Sequence, residues 1–282
     1  MFEVRDNRMV VPNIHLLTFV APTIAREAKP GQFVIVRAEE EGERIPLSLA
    51  DWDAEQGTIT ISVMNVGNTT NRLVSRTAGE HIPTLVGPLG NPTAIEHYGT
   101  VVCVGGCYGI GSIFPIARAL QQAGNRVITI LEARSRYLVY WEDRFSQVSH
   151  RVVVITRDGT RGYRGHIGLL PQILSALDER VDRLILNGCT FLMMRGSATS
   201  RPLGIPTVVS LNPIMIDGTG MCGVCRVSVG GATRFACVHG PDFDGHQVDW
   251  SELLQRRKSY LREEVVSLRS GRCEEHAAQV RN

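Results

Sequence analysis

Lysine, strong net charge and long apolar runs are all scarce in this sequence. Only Lys29 and Lys258 are lysines, so the basic residues are almost all arginine, and the formal net charge is only +2 at pH 7. This balance argues against nucleic acid as the main partner. The sequence has no run of about 18 apolar residues, and we therefore expect no membrane span.

Signals for export or for a disulfide framework are also missing. The first residues, Met-Phe-Glu-Val-Arg-Asp, lack the basic-then-apolar layout of a signal peptide. Seven cysteines are an odd number, which fits a reducing cytoplasm better than a set of disulfides. The 282 residues, 43% hydrophobic and 21% charged, are enough for two domains and a small third one.

Residues 1–97 consist of short apolar runs separated by Pro and Gly turns. Phe33 to Val36 and the alternating run Thr58 to Met64 predict two of the strands. Several short strands punctuated in this way are typical of an antiparallel β-barrel.

Two segments of this first part have the residue types that bind phosphate. In Arg44–Ser48, the guanidinium of Arg44 and the hydroxyl of Ser48 flank a stiffening proline. In Val66–Thr70, Gly67 permits close approach and either threonine can cap a short helix whose N-terminus attracts anions. Each segment alone is more often a solvated turn or a simple cap, so both interpretations stay open here.

Residues 98–210 alternate between strand and helix patterns, which predicts a parallel α/β sheet. One predicted helix runs from Ile113 to Gln122, with Pro115 in its first turn. Apolar strand runs occur at five places: Val101–Val104, Val127–Leu131, Val152–Ile155, Leu184–Leu186 and Thr207–Val209.

A glycine-rich turn, Gly105-Gly106-Cys-Tyr-Gly-Ile-Gly111, follows the first of these strands. Sheets of this class bind nucleotide phosphates at that position. The order of glycines departs from the Gly-x-Gly-x-x-Gly fingerprint, so a tight turn without a ligand is the alternative. Arg134 follows the second strand, where an adenosine ribose would sit, and is either a phosphate ligand or a surface residue.

The densest group of cysteines has the pattern Asp217-x4-Cys222-x2-Cys225-x11-Cys237. Plant-type [2Fe-2S] proteins use Cys-x4-Cys-x2-Cys and a distant fourth cysteine, so Asp217 stands where they have the first cysteine. Glycines in this loop allow the backbone to wrap a cluster and direct N–H groups at its sulfides. We favour a [2Fe-2S] cluster with Asp217 as a ligand; a zinc site and three buried, unligated cysteines are the alternatives.

The order of these parts resembles the ferredoxin–NADP reductase superfamily. More closely it resembles the electron-transfer subunits of dihydroorotate dehydrogenases and the small subunits of the NADH-dependent reduced ferredoxin:NADP oxidoreductases, also called sulfide dehydrogenases. The segments that carry this resemblance are 108–120, 209–215, 217–227 and 235–249. It implies an FAD-binding β-barrel (1–97), an NAD(P)-binding α/β domain (98–210), a small [2Fe-2S] domain (211–250) and a C-terminal helix or tail (251–282).

The resemblance also implies which residues hold the cofactors, and it requires no catalytic acid, base or nucleophile. The implied residues are Arg44, Pro46, Leu47, Ser48, Val66, Gly67, Thr69 and Thr70 for FAD, Gly105, Gly106, Gly109, Ile110 and Gly111 for NAD(P), and Asp217, Cys222, Cys225 and Cys237 for the cluster. One departure is Asn187-Gly188-Cys189, where the superfamily often has Cys-Gly-Pro. Whether NADH or NADPH binds is left open.

The implied activity is electron transfer from NAD(P)H through FAD and the cluster to a partner. That partner would be a larger flavoprotein subunit with [4Fe-4S] clusters, and ferredoxin would be reached indirectly. One alternative is the electron-transfer subunit of a dihydroorotate or sulfide dehydrogenase-type enzyme. Another is a non-catalytic module that senses metal or redox state.

Overall fold

The computed structural model describes residues 1–177 and 180–266. Its first part contains the strands β1 (Phe2–Val11), β2 (Ile14–Val20), β3 (Phe33–Arg37), β4 (Arg44–Asp53), β5 (Thr58–Met64), β6 (His81–Ile82) and β7 (Thr84–Leu89), and the short helices α1 (Pro22–Glu27) and α2 (Asn68–Val74). The strands form one curled sheet in the order β6-β1-β2-β5-β4-β3-β7. Every pairing in it is antiparallel, as predicted for this part of the chain.

Strand β5 shows why this sheet forms. Its sequence alternates, and Ile59, Ile61 and Val63 are all fully buried in the core of the first part. A period of two places these side chains on one face of the strand, where their burial favours folding. The predicted strand Thr58 to Met64 is confirmed at both ends.

The second part is a parallel sheet covered by helices. Its strands are β8 (Thr100–Gly106), β9 (Arg126–Ala133), β10 (Arg151–Thr156), β11 (Tyr163–Arg164), β12 (Arg183–Asn187) and β13 (Thr207–Ser210), and its helices are α3 (Gly109–Gln122), α4 (Glu142–Val148), α5 (Leu170–Leu177) and α6 (Thr190–Ser200). Short 3-10 turns lie at Arg136–Leu138, Ile167–Leu169 and Arg201–Leu203. The central strand β8 is buried on both faces, because α3 and α4 cover one side and α5 and α6 the other.

Helix α3 begins earlier than its sequence predicts. It starts at Gly109, not at Ile113, so Pro115 lies inside the helix and not in its first turn. Glycine has a low helix propensity, which hides this start in the sequence. Tertiary contacts hold the first turn in place, including a 2.8 Å hydrogen bond from the Gly111 N–H to the Tyr140 hydroxyl.

The third part starts after β13 and contains the cysteine motif. It consists of the hairpin β14 (Arg226–Val229) and β15 (Ala232–Phe235), helix α7 (Ala236–His239), strand β16 (Asp242–Asp244) and helix α8 (Trp250–Arg257). Strand β16 pairs antiparallel with β13 and so extends the parallel sheet, giving the order β11-β10-β9-β8-β12-β13-β16. The cysteine segment is therefore joined to the α/β part by backbone hydrogen bonds.

Among the described residues, no helix combines the length and apolarity needed to cross a bilayer. Of the predicted C-terminal helix or tail at 251–282, the structure shows α8, while residues 267–282 lie outside the described residues.

Candidate functional site

The two predicted flavin segments lie side by side. Thr69 Oγ1, in α2, donates a 3.1 Å hydrogen bond to the carboxylate of Glu43, which immediately precedes β4. The hydroxyl of Thr70 accepts the N–H of Gly67 at 2.9 Å and so orders the start of α2. Glu43 was not predicted, because an acidic residue before a strand is usually solvent-exposed.

Space is available beside these segments. A Cβ placed on Gly67 would meet no atom within 4 Å, and its φ of −163° is open to any residue. The protein itself therefore gives no reason for glycine here, whereas close approach of a ligand would.

The other predicted flavin residues are at least partly accessible. Arg44 is exposed at the start of β4, Pro46, Leu47 and Ser48 are half-buried, and Val66 is exposed. These residues fit an anionic cofactor of the FAD type, and their individual roles remain predictions.

The glycines of the nucleotide turn pack against other protein segments. A Cβ on Gly109 would lie 2.2 Å from the Asn187 carbonyl oxygen, and one on Gly111 would lie 2.9 Å from the Ser62 Cβ. Gly105 and Gly106 are similarly enclosed, and the side chain of Ile110 is fully buried. Packing alone requires these glycines, so a phosphate cradle stays a prediction. Arg134 is exposed directly after β9.

The carboxyl ends of β8 and β12 form the switch point of the sheet, which we call the crevice, because the following helices α3 and α6 leave on opposite faces. Open α/β sheets bind ligands at this kind of switch point. Tyr108, after β8, donates a 2.8 Å hydrogen bond to the Gly188 carbonyl, after β12, and accepts one from the Asn212 amide. Burial raises the pKa of Tyr108 to about 12, so its hydroxyl stays protonated.

Helix α8 adds a cation to this crevice. Arg257 Nη1 donates to Asn212 Oδ1 at 2.9 Å and also to the hydroxyl of Thr190, the first residue of α6. Sequence reasoning missed Tyr108, Asn212 and Arg257, because they come from three distant segments and no local motif joins them.

Two of the motif cysteines form a buried pair. Cys225 and Cys237 are 1% and 2% exposed, and their Sγ atoms are 3.2 Å apart. Burial raises the pKa of Cys237, and the neighbouring Cys225 thiol raises it further. Thiols in such surroundings become thiolates when a soft cation binds, so this pair fits the iron of an iron–sulfur cluster.

Asp217 and Cys222 are joined by a hydrogen bond in the loop that precedes Cys225. Asp217 Oδ1 accepts the Thr219 N–H at 2.9 Å, and Oδ2 accepts the Cys222 N–H at 2.8 Å. These hydrogen bonds, the Thr219 one first, lower the pKa of Asp217. Cys222 is exposed, and in the part of the chain that the structure describes no three His, Cys, Asp or Glu side chains are arranged to hold a metal ion. The four-residue ligand set therefore remains a prediction.

The cysteine pair packs directly on the flavin-side sheet. Cys225 and Cys237 share one buried group with Phe33 and Ile35 of β3. In the neighbouring strand β4, Ser48 pairs with Phe33 and Pro46 pairs with Ile35. Paired strands lie about 4.8 Å apart, so the predicted cluster and flavin segments are close neighbours.

Curated relatives resemble the chain over most of its length. It is 44% identical over 252 residues to the dihydroorotate dehydrogenase B (NAD(+)) electron transfer subunit homolog of Thermotoga maritima, covering 88% of this chain and 87% of that one. It is 31% identical over 254 residues to the dihydroorotate dehydrogenase B (NAD(+)) electron transfer subunit of Desulforamulus reducens, covering 86% and 95%. Residues 212–249 match the iron-sulfur cluster binding domain of dihydroorotate dehydrogenase B.

Solved structures agree with these relatives. A chain from the structure of the NADH-dependent reduced ferredoxin-NADP oxidoreductase superposes with a TM-score of 0.89 at 42% identity, covering 96% of this chain and 97% of that one. A ferredoxin NADP+ reductase from Neisseria gonorrhoeae, at 18% identity and a TM-score of 0.61 over 72% of this chain and 91% of that one, shares the fold.

The curled antiparallel sheet, the α/β part and the C-terminal cysteine segment define the class: an oxidoreductase of the ferredoxin–NADP reductase type, with flavin, NAD(P) and an iron–sulfur cluster as its cofactors. Within that class, the chain belongs to the family of dihydroorotate dehydrogenase B electron-transfer subunits and their homologues. The family expected from the sequence is thereby confirmed.

Proposed function

We propose that this chain passes electrons between NAD(P)H and a larger flavoprotein subunit, as part of a ferredoxin:NADP+ oxidoreductase. The observation that carries the proposal is the packing of Cys225 and Cys237 against β3, whose neighbour β4 contains the predicted flavin residues. The 42% identity to a chain of the NADH-dependent reduced ferredoxin-NADP oxidoreductase supports this choice of reaction.

When bound, FAD would supply hydride exchange with the nicotinamide, and a [2Fe-2S] cluster would supply one-electron transfer. The protein supplies position. Arg44 and Ser48 on β4 and the N–H groups at the start of α2 would hold the FAD phosphates. Tyr108 and Asn212 shape the nucleotide crevice. Asp217 orders the loop of Cys222, and Phe33 and Ile35 exclude water from the buried thiols.

The surface around the cysteine loop supports contact with a partner subunit. Met221, next to Cys222, is 89% exposed, and Ile216 and Val238 are exposed as well. Exposed apolar side chains grouped at a redox loop are suited to a protein interface. We propose that a larger flavoprotein with [4Fe-4S] clusters binds there in the cytoplasm, and that ferredoxin exchanges electrons through that partner.

An absorbance spectrum with metal analysis tests the proposal. Purified without oxygen, the chain should show flavin bands, broad absorption from the cluster, and about two irons and two sulfides per chain. A colourless chain that contains zinc would contradict the proposal and favour a non-catalytic metal-binding module.

A dihydroorotate-oxidising enzyme is the second candidate, because the curated relatives are named as subunits of dihydroorotate dehydrogenase B or as a homolog of one. Mass spectrometry of the complex purified with the native chain distinguishes the two. Co-purification of a subunit with [4Fe-4S] motifs and its own flavin supports the ferredoxin:NADP+ reaction, and a dihydroorotate-oxidising subunit supports the second candidate.

A further inference from the structure

The end of helix α8 has two consecutive arginines that bind different parts of the molecule. Arg256 Nη2 donates a 3.0 Å hydrogen bond to the carbonyl of Val224, between Cys222 and Cys225. Arg257 instead binds Asn212 and Thr190 at the nucleotide crevice. One short helix thus contacts both the cysteine loop and the crevice.

The position of Arg257 is set by strand ends. Tyr108, Thr190 and Asn212 follow β8, β12 and β13 respectively, at the carboxyl edge of the sheet. Arg257 binds two of these three residues directly and the third, Tyr108, through the Asn212 amide. Its guanidinium therefore lies at the carboxyl edge of the sheet, beside the switch point between β8 and β12.

The Arg257 guanidinium has N–H groups that bind no protein acceptor among the described residues. The side chain is exposed, and only its Nη1 has partners; within 1–177 and 180–266, Nε and Nη2 donate to no acceptor. An arginine with one edge held by the protein and one edge free is preorganised for a phosphate, because the guanidinium fork matches phosphate geometry.

Helix α8 is a firm support for this side chain. Asp249 caps the helix by accepting the Glu252 N–H at 2.9 Å, and its own N–H donates to the Ser228 carbonyl at 2.9 Å. Leu253 is buried to 1% exposure in the core beneath β12 and β13. The guanidinium is thus positioned by a packed helix, which favours precise binding.

The glycine-rich turn itself contributes no cation. Residues 105–111 contain no lysine or arginine, although a dinucleotide brings a negatively charged diphosphate to such a turn. We propose that Arg257 binds the diphosphate of the nicotinamide dinucleotide, so that the C-terminal helix of the cysteine segment completes the nucleotide site. This inference rests on the proposed function, which requires NAD(P)H to bind in the crevice.

The test is the dissociation constant of ADP-ribose, measured by calorimetry on the full chain with its cofactors. ADP-ribose contains the diphosphate but cannot be reduced, so the measurement is independent of activity. We expect R257Q to weaken ADP-ribose binding by about tenfold to a hundredfold, the usual effect of losing a charged hydrogen bond. R257K keeps the charge without the fork, and we expect a smaller loss.

The matched control is K258Q, which removes one positive charge from the next residue; Lys258 is exposed and its ammonium has no partner in the described chain. K258Q should bind ADP-ribose as the wild type does. Adenosine, which lacks phosphate, should bind R257Q and wild type equally, a result that a merely structural role of Arg257 would not give.

A wrong role for Arg257 and a wrong proposed function give different results. If the wild type binds ADP-ribose and R257Q binds it within twofold, the role of Arg257 is wrong while the proposed function stands. If the wild type binds neither ADP-ribose nor NAD(P)H, the proposed function is wrong and the inference falls with it. Should R257Q not fold, R257K decides, and an unchanged dissociation constant would overturn the inference.

Discussion

Among single residues, Asp217 orders its loop and is also a predicted ligand of the cluster. Its carboxylate accepts N–H groups from Thr219 and Cys222. Each carboxylate oxygen has a second lone pair, so this bonding leaves room for a bond to iron. A cysteine at this position would be a ligand but would lose these loop hydrogen bonds.

We expect D217C to keep its iron and to shift the reduction potential of the cluster on the order of tens of millivolts, because thiolate and carboxylate ligands donate differently. Spectroelectrochemistry measures the potential, and an iron assay measures the content. D244N, which changes a carboxylate outside the motif, is the control. Equal potentials in D217C and wild type would show that Asp217 only orders the loop.

Gly67 gives a second test at this scale, because no protein contact or backbone strain requires glycine there. We expect G67A to melt at the wild-type temperature but to retain FAD about tenfold less well, since the added methyl group would occupy the space predicted for the cofactor. Fluorescence of released flavin measures the retention.

G109A is the contrasting variant, since its Cβ would lie 2.2 Å from the Asn187 carbonyl oxygen. It should lower the melting temperature even without FAD. If G67A instead retains FAD as well as the wild type does, the flavin phosphates do not lie beside Gly67.

Among helices and strands, the sequence predicts those whose bounds depend on local patterns. Strand β5 is predicted correctly at both ends because its alternation reports burial directly. The start of α3 and the pairing of β16 with β13 are missed, because both depend on contacts between distant segments. The cysteine motif is visible in sequence, whereas the Tyr108–Asn212–Arg257 network is assembled only by the fold.

A pair of salt bridges joins the first two parts of the chain, and the sequence does not predict it. Asp51 of β4 binds Arg118 of α3 at 2.9 Å and Arg144 of α4 at 2.6 Å. The Arg144 guanidinium also lies 4.2 Å from the ring centroids of both Phe114 and Trp141. The flavin and nucleotide parts are thereby held in one orientation.

We expect D51A to lower the free energy of unfolding by about 1–2 kcal/mol, because it leaves two half-buried arginines without their shared partner. Chemical denaturation measures the change. E142A breaks the more exposed Glu142–Arg161 pair and should cost no more than about 0.5 kcal/mol. Equal losses in the two variants would mean that Asp51 is no more than a surface charge.

At the scale of the whole molecule, Asp242 lies where all three parts meet. Its Oδ2 accepts the hydroxyl of Thr93 at 2.6 Å, and β16 places it opposite Ser210 of β13. Its Oδ1 is inaccessible to solvent and has no partner among the described residues. Burial raises the pKa of Asp242 to about 6.

A carboxyl whose pKa is higher in the folded than in the unfolded state destabilises the fold as it ionises. Stability from Asp242 is therefore greatest below about pH 4, falls as the pH rises to about 6, and is level above that. The fall is roughly 2–3 kcal/mol. We expect D242N to flatten this part of the profile of unfolding free energy against pH; an unchanged profile would show that Asp242 is solvated.

We propose that flavin and cluster occupy one chain as neighbours that exchange electrons. An anaerobic titration with dithionite, followed by absorbance, counts the electrons that the purified chain accepts. We expect about three per chain, two for FAD and one for a [2Fe-2S] cluster, and about two for C225S, which keeps the flavin. Two electrons in the wild type, or no difference from C225S, would contradict it.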